Sequence, residues 1–140
     1  MTNGTIQTTA RPRQLGRSVL ALLAGFAVAV LLSLVTDIVL HKTGFYPPLG
    51  QPNSSSQLIV STIYRTLFGI LSAWVTARVA PYKPMSHALV GGAIGSAAAL
   101  AGAILTWNRN LGPHWYPIAL VVLALPTAWI GGKLRLMQLR

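Results

Sequence analysis

The sequence of 140 residues has no cysteine and a single acidic residue, Asp37, against eleven lysines and arginines. The lack of cysteine excludes disulfides and thiolate metal sites. One carboxylate cannot form the paired carboxylates of general acid–base catalysis or a carboxylate-bridged metal site. Charged residues make up only 9% of the chain, whereas about a quarter is usual in soluble domains. The composition therefore predicts a membrane protein.

The net charge of +10 is also common among proteins that bind nucleic acids. Here, however, the cations avoid the long apolar stretches and do not form a stripe with interleaved aromatic residues. We therefore predict no nucleic-acid partner and expect the lipid bilayer to surround the chain. No residue pattern points to a cofactor, and none is predicted.

Four apolar stretches are long enough to cross a bilayer. A hydrocarbon core about 30 Å thick needs about 20 apolar residues in a helix, and helices satisfy their backbone hydrogen bonds internally. The predicted spans are residues 18–40, 55–80, 86–107 and 115–134. They predict an all-α, polytopic fold with one four-helix transmembrane domain over residues 15–140. The polar residues 1–14 are expected to form a disordered cytoplasmic tail.

The distribution of cations predicts the orientation, because cytoplasmic ends of spans are enriched in Lys and Arg. The predicted outer end carries only Lys42 and Arg109. The predicted inner end carries Arg11, Arg13, Arg17, Arg78, Lys83, Lys133, Arg135 and Arg140. We expect both termini in the cytoplasm and assign the protein to the bacterial inner membrane.

Two local sequence patterns concern the start of the second helix and the similarity between the two halves of the chain. Ser54 followed by Gln57 predicts a capping box at the start of the second helix. Residues 72–79 (Ser-Ala-Trp-Val-Thr-Ala-Arg-Val) resemble residues 127–134 (Thr-Ala-Trp-Ile-Gly-Gly-Lys-Leu), which predicts two similar hairpins. Both a duplication and chance similarity between apolar segments explain this resemblance.

Small residues recur at every fourth position of each span, as in helices that associate by close packing in lipid. They predict a compact bundle, or equally a contact surface for a homodimer or larger membrane complex. The glycines expected at helix contacts are Gly25, Gly69, Gly91, Gly95 and Gly132.

Asp37 and Arg65 continue two of these stripes, so both are predicted to point toward protein. At 1.5 Å per residue, Asp37 lies about 5 Å from the outer end of its span, and Arg65 lies about 10 Å below the first apolar residue of the second span. An unpaired charge at mid-membrane costs about 2.5–3.5 kcal/mol, which favours an intramembrane ion pair. A structural role, a substrate or proton role, and separate snorkelling without pairing all stay open.

The outer ends of the spans carry a second group of polar residues. His41 lies one turn after Asp37 on the same helix face, and we group it with His114 and Asn108 in an outer-face polar cluster. Histidines solvated at helix ends are the alternative interpretation. The spacing matches no known ligand pattern, so no metal site is predicted.

Three classes of function are compatible with these residues. We favour a non-enzymatic accessory or interaction subunit that packs through its small-residue faces. A small transporter or channel component using Asp37 and Arg65 is the first alternative, and it requires a water-accessible cavity that reaches Asp37. A membrane enzyme at the outer face is the second, and it requires Asp37, His41 and a nucleophile within hydrogen-bond reach.

Overall fold

The computed structural model describes residues 12–140, and this part of the chain contains four α-helices. They are α1 (Pro12–Lys42), α2 (Ser55–Val79), α3 (Pro84–Thr106) and α4 (Trp115–Gln138). Each helix is long and apolar enough to cross a membrane, as in a multi-pass membrane protein. The predicted all-α fold with four helices of membrane-spanning length is confirmed.

The helix boundaries lie close to the predicted spans. The largest differences occur at the start of α1 and at the end of α4. Helix α1 begins at Pro12, inside the segment predicted as a tail, and residues 1–11 lie outside the described residues. Helix α4 continues past residue 134, and Gln138 accepts a hydrogen bond from Trp74 Nε1 at 3.0 Å.

Helix α2 begins with the predicted capping box. Gln57 N donates to Ser54 Oγ at 3.4 Å, and Ser54 N donates to Gln57 Oε1 at 2.8 Å, which confirms this prediction. At the other end of α2, a short turn at residues 80–83 leads directly into α3. Lys83 closes this turn with a left-handed backbone (φ 40°), and Pro84 then starts the helix.

The four helices run antiparallel to their neighbours in the chain, and α2 contacts all three of the others. Helix α4 packs along α2 and α3, whereas α1 packs along α2 and touches α3 only briefly. Within residues 12–140, α1 and α4 do not touch. We call the end with the 43–54 and 107–114 segments the loop end, and the end with the 80–83 turn the terminal end.

Small residues hold the helices together at the terminal end. A Cβ placed on Gly131 would lie 2.6 Å from Ala73 Cβ and 2.8 Å from Trp74 N, so α4 packs directly on the α2 backbone. Gly92 brings α3 equally close to α4. The buried core beside these contacts consists of Ala73, Ala77, Ala88 and Ala128. Such packing is the main source of helix association in lipid, where apolar burial from water is absent.

Four of the five glycines predicted at helix contacts lie at such contacts: Gly25, Gly69, Gly91 and Gly132. Gly95 does not, because no atom of a neighbouring helix in the described chain lies within 4 Å of where its Cβ would be. Helix α3 faces α4 through Gly92 and through Ser96, whose Oγ donates to Val121 O at 3.0 Å. Gly95 lies on the same face of α3 as Gly91, but α1 and α3 separate toward the loop end, so Gly95 faces a cavity.

The two hairpins share one local arrangement. The Arg78 guanidinium lies 5.3 Å from the Trp74 ring centre, and the Lys133 ammonium lies 5.5 Å from that of Trp129. Each cation follows its tryptophan by one helical turn at the terminal end of its hairpin. A duplication that produced both hairpins stays a prediction.

Candidate functional site

The structure brings Asp37 of α1 and Arg65 of α2 together. Arg65 Nη2 donates to Asp37 Oδ2 at 2.6 Å, so the two side chains pair instead of extending separately toward the loop end. The pair is not sealed inside the bundle, since the Arg65 side chain is 33% exposed and that of Asp37 is 27% exposed. Arg65 Nε is buried and has no hydrogen-bond partner in the described part of the chain.

A chain of hydroxyl groups extends from the same carboxylate. Tyr64 donates to Asp37 Oδ1, and the Tyr64 hydroxyl lies 3.2 Å from that of Tyr46, which also shares a hydrogen bond with Ser61. Both carboxylate oxygens of Asp37 therefore already accept a hydrogen bond. The sequence prediction missed Tyr64 and Ser61, although Ser61, Tyr64 and Arg65 follow the i, i+3, i+4 spacing of one helix face.

The segment after α1 positions Tyr46 at this site. The chain turns back at the loop end, where Tyr46 N donates to Leu40 O at 3.1 Å and Gln57 Nε2 donates to Phe45 O. These bonds attach the segment to both α1 and the first turn of α2. Tyr46 is buried as a result, and its ring meets the His41 ring edge-on with 5.3 Å between centres.

A cavity of about 420 Å³ adjoins the ion pair at the loop end. We call it the loop-end cavity. All four helices contribute to its walls, among them Asp37, Ser61, Arg65, Ala99, Ala103 and Tyr116. The predicted cluster residues His41 and His114 also line it. Asn108 does not, because the chain turns between Trp107 and Asn110 and leaves Asn108 exposed.

Each histidine at the loop end is bound to its own segment. His41 Nδ1 contacts Asp37 O at 2.8 Å, and His114 Nε2 contacts Trp107 O at 2.9 Å while its ring stacks on the Trp107 ring. Among the described side chains, no group of three or more acidic, histidine or cysteine residues could hold a metal ion. Tyr64 and Arg65 donate hydrogen bonds to the Asp37 carboxylate, whereas His41 contacts only the main-chain oxygen of Asp37.

A second cavity of about 590 Å³ continues toward the terminal end. We call it the apolar cavity, because nearly all of its walls are apolar or small residues, including Leu22, Phe26, Ile94, Gly95 and Leu123. Arg65 and Leu120 line both cavities and separate them. Helix α1 approaches α3 below this space, where Ser18 Oγ lies 2.9 Å from His87 Nε2.

Comparison of the chain with protein-family models gives no match, and comparisons with curated proteins and with solved structures give none either. The site is thus characterised by its own geometry. It combines a charged pair, a chain of hydroxyl groups and two chemically different cavities that meet at Arg65.

Proposed function

We propose that this chain is inserted in the bacterial inner membrane and acts as a small transporter or channel component that takes up its ligand through the loop-end cavity. The length and apolarity of all four helices support insertion. The excess of cations at the terminal end supports a cytoplasmic location of that end. Among the described residues, those cations are Arg17, Arg78, Lys83, Lys133, Arg135 and Arg140.

The observation that carries the proposal is the position of the Asp37–Arg65 pair in the wall of a cavity. If the pair served only to fix helix register, we would expect close packing around it, like the packing around Gly131 at the terminal end. Instead, both side chains keep part of their surface open to the loop-end cavity. Ionisable residues within membrane spans that face a cavity commonly mark a substrate or ion pathway.

The two cavities also favour transport over the other classes. They follow each other along the bundle and meet at Arg65 and Leu120, which makes Arg65 a natural barrier between them. The hydrogen bonds of Asp37 do not match the arrangement that a membrane enzyme requires, because His41 does not reach its carboxylate. We therefore regard a transport or channel function as the better explanation of this site.

An accessory or interaction subunit is the second candidate, and the exposure of α1 favours it. Phe26, Leu31 and Leu34 are each more than half exposed, and α1 packs closely on α2 alone. This face offers a contact for a second copy or for a larger membrane complex. It does not, however, account for the cavity beside the ion pair.

Water access to the loop-end cavity tests the proposal, and the cysteine-free chain suits thiol labelling. Ala99 lines this cavity, whereas its neighbour Leu100 is half exposed on the apolar surface and lines neither cavity. Both lie about 10 Å from the loop end of α3 at 1.5 Å per residue. In intact cells, a membrane-impermeant thiol reagent should label Ala99→Cys and spare Leu100→Cys.

Labelling of Gly16→Cys supplies the control for orientation. Gly16 lies near the terminal end, so the reagent should reach it only after the cells are permeabilised. Failure to label Ala99→Cys in folded protein, or equal labelling of Ala99→Cys and Leu100→Cys, would contradict a water-accessible pathway. Labelling of Gly16→Cys in intact cells would reverse the proposed orientation.

A further inference from the structure

The geometry points to a ligand class for this site: an amphiphile with an anionic group that binds beside Arg65 and a long alkyl chain that occupies the apolar cavity. This inference rests on the proposed function and names the kind of molecule that the site takes. Three properties of the two cavities carry it, namely the charge of the groups in their walls, their chemical contrast and the gap between α1 and α3.

The polar groups at the junction favour an anion. Arg65 is the only lysine or arginine among the described residues that line either cavity. Arg65 donates one hydrogen bond to Asp37, and its Nε is buried without a partner in the described chain. Some N–H donors of the guanidinium are therefore not used. Arg65 neutralises the charge of Asp37, and each Asp37 oxygen accepts one hydrogen bond, which weakens the attraction of this carboxylate for a cationic ligand. An anionic oxygen would satisfy the free donors by charge-assisted hydrogen bonds.

The walls beyond Arg65 favour a hydrocarbon chain. Apart from Arg65, the polar groups that line the apolar cavity are hydroxyl groups at its edge on α2 and α4: Thr66, Ser72, Thr76 and Thr127. Along α2 the cavity extends from Arg65 to Thr76, which is about 16 Å at 1.5 Å per residue. A space of this length and polarity suits an extended alkyl chain better than a hydrated ion.

The gap between α1 and α3 provides lateral access from the membrane. The two helices meet near the terminal end, through Ser18 with His87 and through Leu22 with Gly91. Toward the loop end, Phe26 and Ile94 line the apolar cavity from opposite helices and are 57% and 52% exposed. An alkyl chain can therefore pass between these helices directly from the bilayer, while its anionic group reaches Arg65.

Photo-crosslinking tests this inference on the full chain in a neutral detergent. The probe is a hexadecanoic acid with a diazirine near the end of its chain, and the matched neutral probe is the corresponding hexadecanol. The acid should crosslink to α1 and α3 residues of the apolar cavity, as read by peptide mass spectrometry. We expect about tenfold less crosslinking by the alcohol, because it lacks the charge-assisted bond to Arg65.

Glycines with open space around them provide matched variants. Gly95→Leu adds a side chain to the apolar cavity at a position with open space around the Cβ, and should reduce crosslinking by the acid about tenfold. Gly16→Leu adds the same side chain at an equally open position outside both cavities and should leave crosslinking unchanged. Hexadecyl phosphate should compete with the acid probe, whereas inorganic phosphate alone should not, which distinguishes an amphiphile from a free anion.

Several results would overturn the inference. Equal labelling by acid and alcohol would remove the role of the charge, and undiminished labelling of Gly95→Leu would remove the role of the apolar cavity. Competition by inorganic phosphate at equal strength would indicate a soluble anion. A dimer whose dissociation by Gly95→Leu exposes the cavity would indicate that a second copy fills it. If Ala99→Cys is labelled from water while any of these results holds, the ligand class is wrong and the proposed transport function stands.

Discussion

The two ends of the bundle are held together in different ways. At the terminal end, glycines and alanines bring the helix backbones into contact, as Gly131 does against α2. At the loop end, polar side chains join α1 to α2 around a cavity, through Arg65 and Tyr64 on Asp37. The bundle is thus closed where its packing is tightest and open beside the Asp37–Arg65 pair. This contrast places the candidate site where close packing stops.

The contrast has energetic consequences. Close packing between small residues gains many dispersion contacts, and without a hydrophobic driving force in lipid it is a major source of helix association. A hydrogen bond between membrane helices contributes on average only about 0.6 kcal/mol. We therefore expect substitutions at the terminal end to damage the fold most, and those at the loop end to affect the site more than the fold.

The largest effect is expected for Gly131→Leu. Its side chain would collide with Ala73 and with the backbone of Trp74, which cannot move without separating α2 from α4. Overpacking of this kind costs about 1–3 kcal/mol or more. Chemical unfolding in a neutral detergent, followed by tryptophan fluorescence, should show this loss. Gly95→Leu, which adds the same side chain to open space, should change the free energy of unfolding by less than about 0.5 kcal/mol.

Equal stability of Gly131→Leu and Gly95→Leu would contradict the difference between close packing at Gly131 and open space at Gly95. It would mean that α2 and α4 tolerate separation at their tightest contact. Conversely, a large loss in Gly95→Leu would show that the space around Gly95 is filled in the folded protein, by a second copy or by another part of a complex.

An intermediate effect is expected for Asp37→Asn. The substitution leaves Arg65 without its counter-charge, and partial exposure of both side chains limits the cost to about 1–2 kcal/mol of unfolding free energy. Arg109→Gln, which removes a cation from the 107–114 segment, serves as the control and should be neutral within about 0.5 kcal/mol. The same unfolding experiment measures both variants.

The double variant with Asp37→Asn and Arg65→Leu sharpens this result. If the pair is only a structural contact, removal of both charges should restore most of the lost stability, because no unpaired charge remains. Restored stability together with lost binding of the acid probe would separate the structural from the functional role. A double variant as unstable as Asp37→Asn alone would show that the unpaired charge of Arg65 is not what destabilises the single variant.

The sequence predicts the helices well and the spaces between them poorly. Hydropathy over some twenty residues and the capping box at Ser54 depend on local sequence alone, and both were correct. The contact of Asp37 with Arg65 agrees with the cost of a lone charge in lipid. By contrast, Gly95 faces a cavity because α1 and α3 separate toward the loop end, and a stripe of small residues does not specify that separation.

The polar partners of the ion pair were equally difficult to predict. Tyr64 and Ser61 are two of several hydroxyl-bearing residues in α2, and the sequence is compatible with several partners on several helices for each of them. Their contacts with Tyr46 depend on the segment after α1, which turns back and brings the Tyr46 hydroxyl to both of them. A turn at residues 107–110 leaves Asn108 exposed, and its distance along the chain from His114 does not predict this position.

The smallest effect is expected for Tyr64→Phe. The variant loses the hydroxyl that links Asp37 to Tyr46 but keeps the ring, whose centre lies 5.7 Å from that of Phe68. We expect a loss of about 0.5–1 kcal/mol in unfolding free energy, in line with one hydrogen bond. Tyr82→Phe at the terminal end, where the ring meets His87 edge-on, is the matched control. A loss as large as that of Asp37→Asn would mean that the hydroxyl chain, more than the ion pair, holds α1 on α2 at the loop end.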